Sequence, residues 1–350
     1  MKCFKVKKIN ILLAVFLVFI LLSGCGKIES QGETPVVQED DTVMIGMSFD
    51  SFLIERWQRD RDIFVQTAKD LGAEVDVQNA NGDIETQKEQ IRYFIDKGVD
   101  VIVVVCIDSD SLTDVVSEAK EAGIEVVAYD RLINNADVDL YVSFDNEMVG
   151  TLMGKSLIDN GLSGGKVIII GGSVQDNNVH LVEGGFESVM NKNHVEILGV
   201  THCDGWRAEL ASDYLYDHLD LLEKCDAIMC GNDNIASQVV NVLSVQRLAG
   251  DILVTGQDAD LEACQRIVEG TQVMTVYKPV EKLARCAAQC AVMLANGEEI
   301  TGYDVTFTDN GFKPVPYVNL QPVMVTSENM DETIISSGFH TRGEVYLNVK

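Results

Sequence analysis

From Thr42 onward, short β-branched runs alternate with amphipathic stretches that stop at glycine, and few folds admit that pattern. The runs Val43–Met47, Glu74–Gln78, Val99–Val105, Glu125–Tyr129, Leu140–Ser143, Lys166–Ile170, Glu196–Thr201, Ala227–Cys230 and Ile252–Thr255 read as strands. Several are apolar almost throughout, as parallel strands covered on both faces must be. Between them, Ile84, Ile91, Phe94 and Ile95 recur at helical spacing over Ile84–Lys97, and Gly98 follows as a C-terminal stop. Arg61–Leu71 before Gly72 and Leu112–Ala122 before Gly123 repeat the pattern. Such β-α alternation predicts an α/β fold of doubly wound parallel sheets. The 350 residues suffice for two lobes. One sheet is expected over 42–144 and a second from about Gly150 to Thr275; the helical stretch Pro279–Asn296 could join either.

The first 41 residues follow another logic. Lys2, Lys5, Lys7 and Lys8 precede the 12-residue apolar run Ile11–Leu22, which leads into Leu22-Ser23-Gly24-Cys25. A basic start, a short apolar core and small residues at a cleavage point describe an export signal over 1–24. The run is shorter than the ~18–20 residues that span a bilayer. Residues 25–41 are polar and aperiodic beyond Cys25, and read as a flexible tether with a reach of about 20 Å.

Charge and cysteine usage narrow the function. A formal charge of −28 disfavours nucleic acid, whose phosphates are met by Lys and Arg. Cys106, Cys203, Cys225, Cys230, Cys264, Cys286 and Cys290 sit mostly in apolar runs without zinc-site spacing, and read as buried thiols. No G-x-G-x-x-G follows the first strand, and Gly161–Lys166 lacks Walker spacing. Ser48 has no His placed to serve it, and the five histidines lack metal-ligand spacing. No catalytic residue, metal or cofactor is therefore expected.

In open α/β sheets, ligands bind beyond the carboxyl ends of the strands. Those ends are polar here: Asp50, Arg56 and Trp57; Asp108; Asp130 and Arg131; Asp176, Asn177 and Asn178; Asp204 and Trp206; Asn232 and Asp233; Gln257 and Asp258; then Lys278. A strand-end Asp or Asn can simply cap the next helix. That account does not cover both tryptophans of the chain, two arginines and a lysine. Carboxylates, amides and cations suit hydroxyls that both donate and accept, and an indole plane suits the apolar face of a sugar ring.

Longer stretches carry a resemblance. Glu55-Arg-Trp-Gln58, Tyr129-Asp-Arg131, Ser143-Phe-Asp-Asn146, Gly171-Gly-Ser173, Asp176-Asn-Asn178, Asp204-Gly-Trp206, Gly256-Gln-Asp-Ala-Asp260, Met274-Thr-Val-Tyr-Lys-Pro279 and Gly338-Phe-His340 resemble periplasmic sugar-binding proteins of the ribose and galactose type. Within that family the match is to the D-xylose-binding group of ABC import systems. The resemblance implies two lobes, 42–144 plus 279–314 and 145–278 plus 315–350. Hinge crossings would fall near Ser143–Asn146, Tyr277–Pro279 and Val315–Leu320. It implies sugar contacts from Arg56, Trp57, Asp130 and Arg131 in the first lobe. Asn178, Trp206, Asn232, Asp258 and Lys278 would supply the second, with Asn177 and Asn178 not told apart. The Leu-Ser-Gly-Cys ending resembles a lipoprotein signal, so Cys25 would carry the lipid that anchors the protein to the outer face of the cell membrane.

The expected function is capture of a monosaccharide, xylose or a similar aldose, by a monomeric lipoprotein that hands it to an ABC transporter permease. A sensor that presents the sugar to a membrane histidine kinase or chemoreceptor would share fold and cleft. An enzyme acting on sugars lacks its catalytic groups. The carbohydrate reading requires the two indoles to face one gap from opposite lobes.

Overall fold

The glycine stops do set the helix ends. In the computed structural model, which describes residues 42–349, helix Ile84–Lys97 closes on Gly98 at φ 69°, a left-handed turn that costs glycine little. Its start is fixed by Asp83, whose carboxylate accepts the Thr86 N–H at 2.7 Å. Helices Arg56–Asp70 and Thr113–Glu121 end just before Gly72 and Gly123, both also at positive φ.

The strands gather into two sheets. The first has the order β11-β12-β5-β4-β3-β1-β2. Its members are β1 (Met44–Phe49), β2 (Glu74–Asn79), β3 (Val101–Val104), β4 (Glu125–Tyr129), β5 (Leu140–Phe144), β11 (Val305–Asp309) and β12 (Pro314–Leu320). The second has the order β13-β10-β9-β8-β6-β7. It comprises β6 (Lys166–Gly171), β7 (Glu196–His202), β8 (Ala227–Cys230), β9 (Leu253–Gln257), β10 (Met274–Tyr277) and β13 (Val323–Val325). All pairings are parallel except two at the margins, β11 with β12 and β10 with β13. These are the two α/β lobes.

Helices cover both faces of each sheet, with apolar cores on either side. In the first lobe, Ile45, Met47, Val103, Val127 and Val142 pack beneath helices Arg56–Asp70 and Val280–Ala295, while Ile102, Val104 and Val126 point the other way. In the second lobe, Ile168, Ile170 and Val254 lie on one face and Val167, Ile169 and Val276 on the other. This alternation is the period-two geometry of a strand buried on both sides. All seven cysteines of the described region are buried, and none is paired.

The chain passes between lobes after Phe144, after Tyr277 and after Leu320. The expected boundary at 314/315 therefore needs correction. Pro314–Leu320 pairs with β5 in the first sheet, Tyr317 opposite Tyr141 and Leu320 opposite Phe144, so the last crossing lies between Leu320 and Val323. Helix Val280–Ala295 belongs to the first lobe: Leu283, Cys286, Ala287 and Cys290 join the core that holds Phe64 and Val103. The expected signal, tether and lipidated Cys25 lie outside the described residues.

Candidate functional site

Eight of the nine expected contact residues line one cleft at the carboxyl ends of the strands. Arg56, Trp57, Asp130, Arg131, Asn178, Trp206, Asp258 and Lys278 surround a space of about 320 Å³, joined by Ile54, Asn146, Asp176 and Gln257. The lining carries three cations, Arg56, Arg131 and Lys278, against three carboxylates, Asp130, Asp176 and Asp258. A balanced lining of this kind suits a neutral polar ligand better than an ion.

The first lobe contributes a tied network. Arg56, at the start of its helix, reaches Asp60 one turn on at 2.9 Å and Asp130 after β4 at 2.9 Å. Asp60 also accepts the Tyr129 hydroxyl. Arg131 donates to Asp50 after β1 at 2.8 Å and to the Cys106 carbonyl after β3 at 3.0 Å. Burial alone would raise the Asp130 carboxyl, yet Arg56, Lys278 and Arg131 outweigh it and hold that group below its ordinary value. For Asp50 and Asp60, burial prevails over the arginines and pushes the carboxyls up.

The second lobe arrives with fewer ties. Lys278, just past β10, lies 2.7 Å from Asp258, just past β9. Asp176, also raised by burial, sits 2.7 Å from Arg131 across the cleft. Asn178 donates to the Asp130 carbonyl at 2.9 Å and accepts from the Tyr141 hydroxyl at 3.2 Å. Those bonds place Asn178, and not Asn177, at the cleft. Trp206 packs on the cores of both lobes. Its ring is seated against Gly172, where an added Cβ would come within 2.3 Å of the indole.

The two indoles do share one space. The Arg131 guanidinium lies 5.6 Å from the Trp57 ring and 5.8 Å from the Trp206 ring. Arg56 stands over the Trp57 ring at 4.4 Å. Several polar groups here are left wanting. Arg56 Nη1, Trp57 Nε1, Trp206 Nε1 and Gln257 Oε1 are buried without a hydrogen-bond partner. Orphaned polar atoms are uncommon in protein interiors, and a cluster around one cleft marks where a ligand's donors and acceptors fit. Asp130, Trp206 and Asp258 also hold left-handed backbones, at φ 63°, 60° and 97°. Strain of that kind collects at binding sites because the surrounding structure enforces it.

Asn232 stands apart. Its Oδ1 accepts the Ile235 N–H at 2.9 Å and caps helix Asp233–Gln246, and it is not among the cleft-lining residues. Capping occupies its Oδ1, as it does for many strand-end Asn residues. Conversely, Asp176 and Gln257 line the cleft, and Asp50 braces it; all three were visible as strand-end polar groups. Asp60 and Ile54 carried no such signal. Among the described residues, no group of three His, Cys, Asp or Glu could hold a metal ion, and no helix is long and apolar enough to cross a membrane.

A two-lobed α/β frame with a polar, indole-walled cleft between the lobes defines a class of solute-binding proteins, and sequence comparison agrees. Residues 45–299 match the family described as periplasmic binding protein domain, and the chain belongs to that family. It is 44% identical over 317 residues to the D-xylose-binding periplasmic protein of Escherichia coli strain K12, covering 89% of this chain and 95% of that one. The D-xylose-binding periplasmic protein of Haemophilus influenzae is also 44% identical, over 86% of this chain and 92% of its own. Among solved structures, an ABC transporter solute-binding protein of Clostridium phytofermentans with bound β-D-glucose superposes with a TM-score of 0.77 at 30% identity. The match covers 86% of this chain and 99% of that one.

Proposed function

We propose that this protein captures D-xylose, or a closely similar aldose, between Trp57 and Trp206 and delivers it to an ABC importer. The observation that carries the reading is the cleft itself: balanced in charge, walled by one indole from each lobe, and rimmed by orphaned donors and acceptors. Sugar hydroxyls both donate and accept, so one ring can satisfy Trp Nε1–H, Arg Nη–H and Gln Oε1 together. The 44% identity to two xylose-binding proteins over nearly their whole length supports xylose among the aldoses. Arg56, Trp57, Asp130, Arg131, Asn178, Trp206, Asp258 and Lys278 are the proposed contacts.

Capture works through closure. An open form exposes the cleft, and a sugar favours the closed form because only there do both lobes touch it. The closed protein is what a permease would recognise. Lipidation of Cys25 would keep it on the outer face of the membrane, within reach of that permease. Titration calorimetry against pentoses and hexoses tests the capture step: one saturable site, tightest for D-xylose, is expected. Absence of heat with every monosaccharide would refute it. Mass spectrometry of the mature N-terminus tests the anchor, with a diacylated or triacylated Cys25 as the expected species.

A further inference from the structure

Beside the cleft, the two lobes are fastened by groups that do not line it. The Ser109 N–H, from the loop after β3, donates to the Gln175 carbonyl, from the loop after β6, at 2.9 Å. In return, the Asn177 N–H donates to Ser109 Oγ at 3.1 Å. Gln175 Nε2 donates to the Asp108 carboxylate at 3.2 Å. None of Asp108, Ser109, Gln175 and Asn177 borders the sugar space.

The Asn177 bond has a specific meaning. Asn177 is the first residue of the 16-residue helix Asn177–Lys192, so its N–H is one of four that the helix cannot satisfy internally. Asp176 accepts the next N–H, that of Asn178, at 2.9 Å. The Asn177 donor is left to a side chain of the opposite lobe, and Ser109 supplies it. Ser109 is itself buried and held in place, for its carbonyl accepts the Asn134 N–H at 2.7 Å. The same loop joins the cleft through Cys106, whose carbonyl receives Arg131 Nη1.

We propose that Ser109 is a closure latch: a positioning residue that caps a second-lobe helix only when the lobes meet, and so sets how long the protein stays shut. The proposal rests on the capture reading and deepens it. With the lobes parted, these donors and acceptors return to water. The net worth of the bonds therefore favours the closed form. Because the latch touches no sugar, it should scale the affinity for every ligand alike and leave their ranking unchanged. Contact residues such as Trp57 or Asp258 should change the ranking.

The test uses the full chain carrying Ser109→Ala, Ser109→Thr or Gln175→Ala. Calorimetry and stopped-flow release are measured with D-xylose and the bound members of the sugar panel. Ser109→Ala should weaken each by about fivefold, through faster release, as expected for one lost hydrogen bond of about 1 kcal/mol. Ser109→Thr keeps the hydroxyl and should stay within about twofold of wild type. Gln175→Ala should weaken binding by about twofold to fivefold, again without changing the ranking. Unchanged affinity and release in Ser109→Ala would overturn the latch, as would a reordered ranking. If wild type binds no sugar at all, the capture reading fails instead. The latch then stands on solution scattering of the sugar-free proteins: a more extended Ser109→Ala supports it, and identical profiles refute it.

Discussion

The two halves of the cleft are built differently. In the first lobe, Arg56 is held by Asp60 and Asp130 of its own lobe, Arg131 by Asp50 and also by Asp176 across the cleft, and Trp57 is fully buried. In the second lobe, Trp206 is half-buried on a strained backbone and Asp258 meets Lys278 alone. The first half draws most of its ion pairs from its own lobe. Trp206, by contrast, packs partly on the first-lobe core. In the proposed capture mechanism, ties within one lobe limit the ordering cost of binding, and contacts that reach across the cleft make closure depend on the ligand.

This contrast can be broken at several points. The largest effect is expected at Asp60. Asp60→Ala would remove one partner of a buried ion pair and the acceptor of the Tyr129 hydroxyl, costing about 3–5 kcal/mol in urea unfolding along with most sugar affinity. The tryptophans should then separate stability from binding. Trp57→Ala empties a core position and should cost about 3–5 kcal/mol of stability as well as affinity. Trp206→Ala should stay within about 2 kcal/mol of wild-type stability. It should nonetheless lose tenfold or more in xylose affinity, at least about 1.4 kcal/mol, as should Asp258→Ala. Equal stability losses in the two tryptophan variants would erase the distinction between the halves.

Smaller effects sharpen it. Gly172→Ala would press a methyl into the Trp206 ring, shifting the indole, and should weaken binding by about fivefold with little change in unfolding. Single carboxylates of the two lobes should also respond oppositely to pH. Asp130, held low, stabilises the fold above the ordinary carboxylate range, and that contribution is lost as pH falls through its lowered value. Asp233, in the second lobe, is raised to about 7 by burial, against the pull of Arg266. The folded state keeps that proton while the unfolded chain releases it near pH ~4, so stability declines as pH rises from about 4 to 7. Between pH 5 and 7.5 the urea midpoint should fall further in wild type than in Asp233→Asn.

Much of this was readable in the sequence, for identifiable reasons. Strands buried on both faces appear as apolar runs, so Glu125–Tyr129 and Ala227–Cys230 have the bounds their composition suggests. Val305–Asp309 escaped because it is an edge strand with exposed Thr306 and Phe307, and Pro314–Leu320 because two prolines interrupt it. Strand-end polarity pointed to the cleft. It could not tell Asn178, which faces the other lobe, from Asn232, which caps its own helix. Asp60 was invisible because its role depends on Arg56 and Tyr129 converging from a helix and a strand.

In the proposed mechanism, indoles from separate lobes close on a single sugar ring. Intrinsic fluorescence titrated with D-xylose tests it most directly, in wild type and in Trp57→Phe and Trp206→Phe. A saturable change in wild type that persists in part in each variant, with weakened affinity in both, is the expected result. A signal and affinity that survive intact in either variant would contradict it.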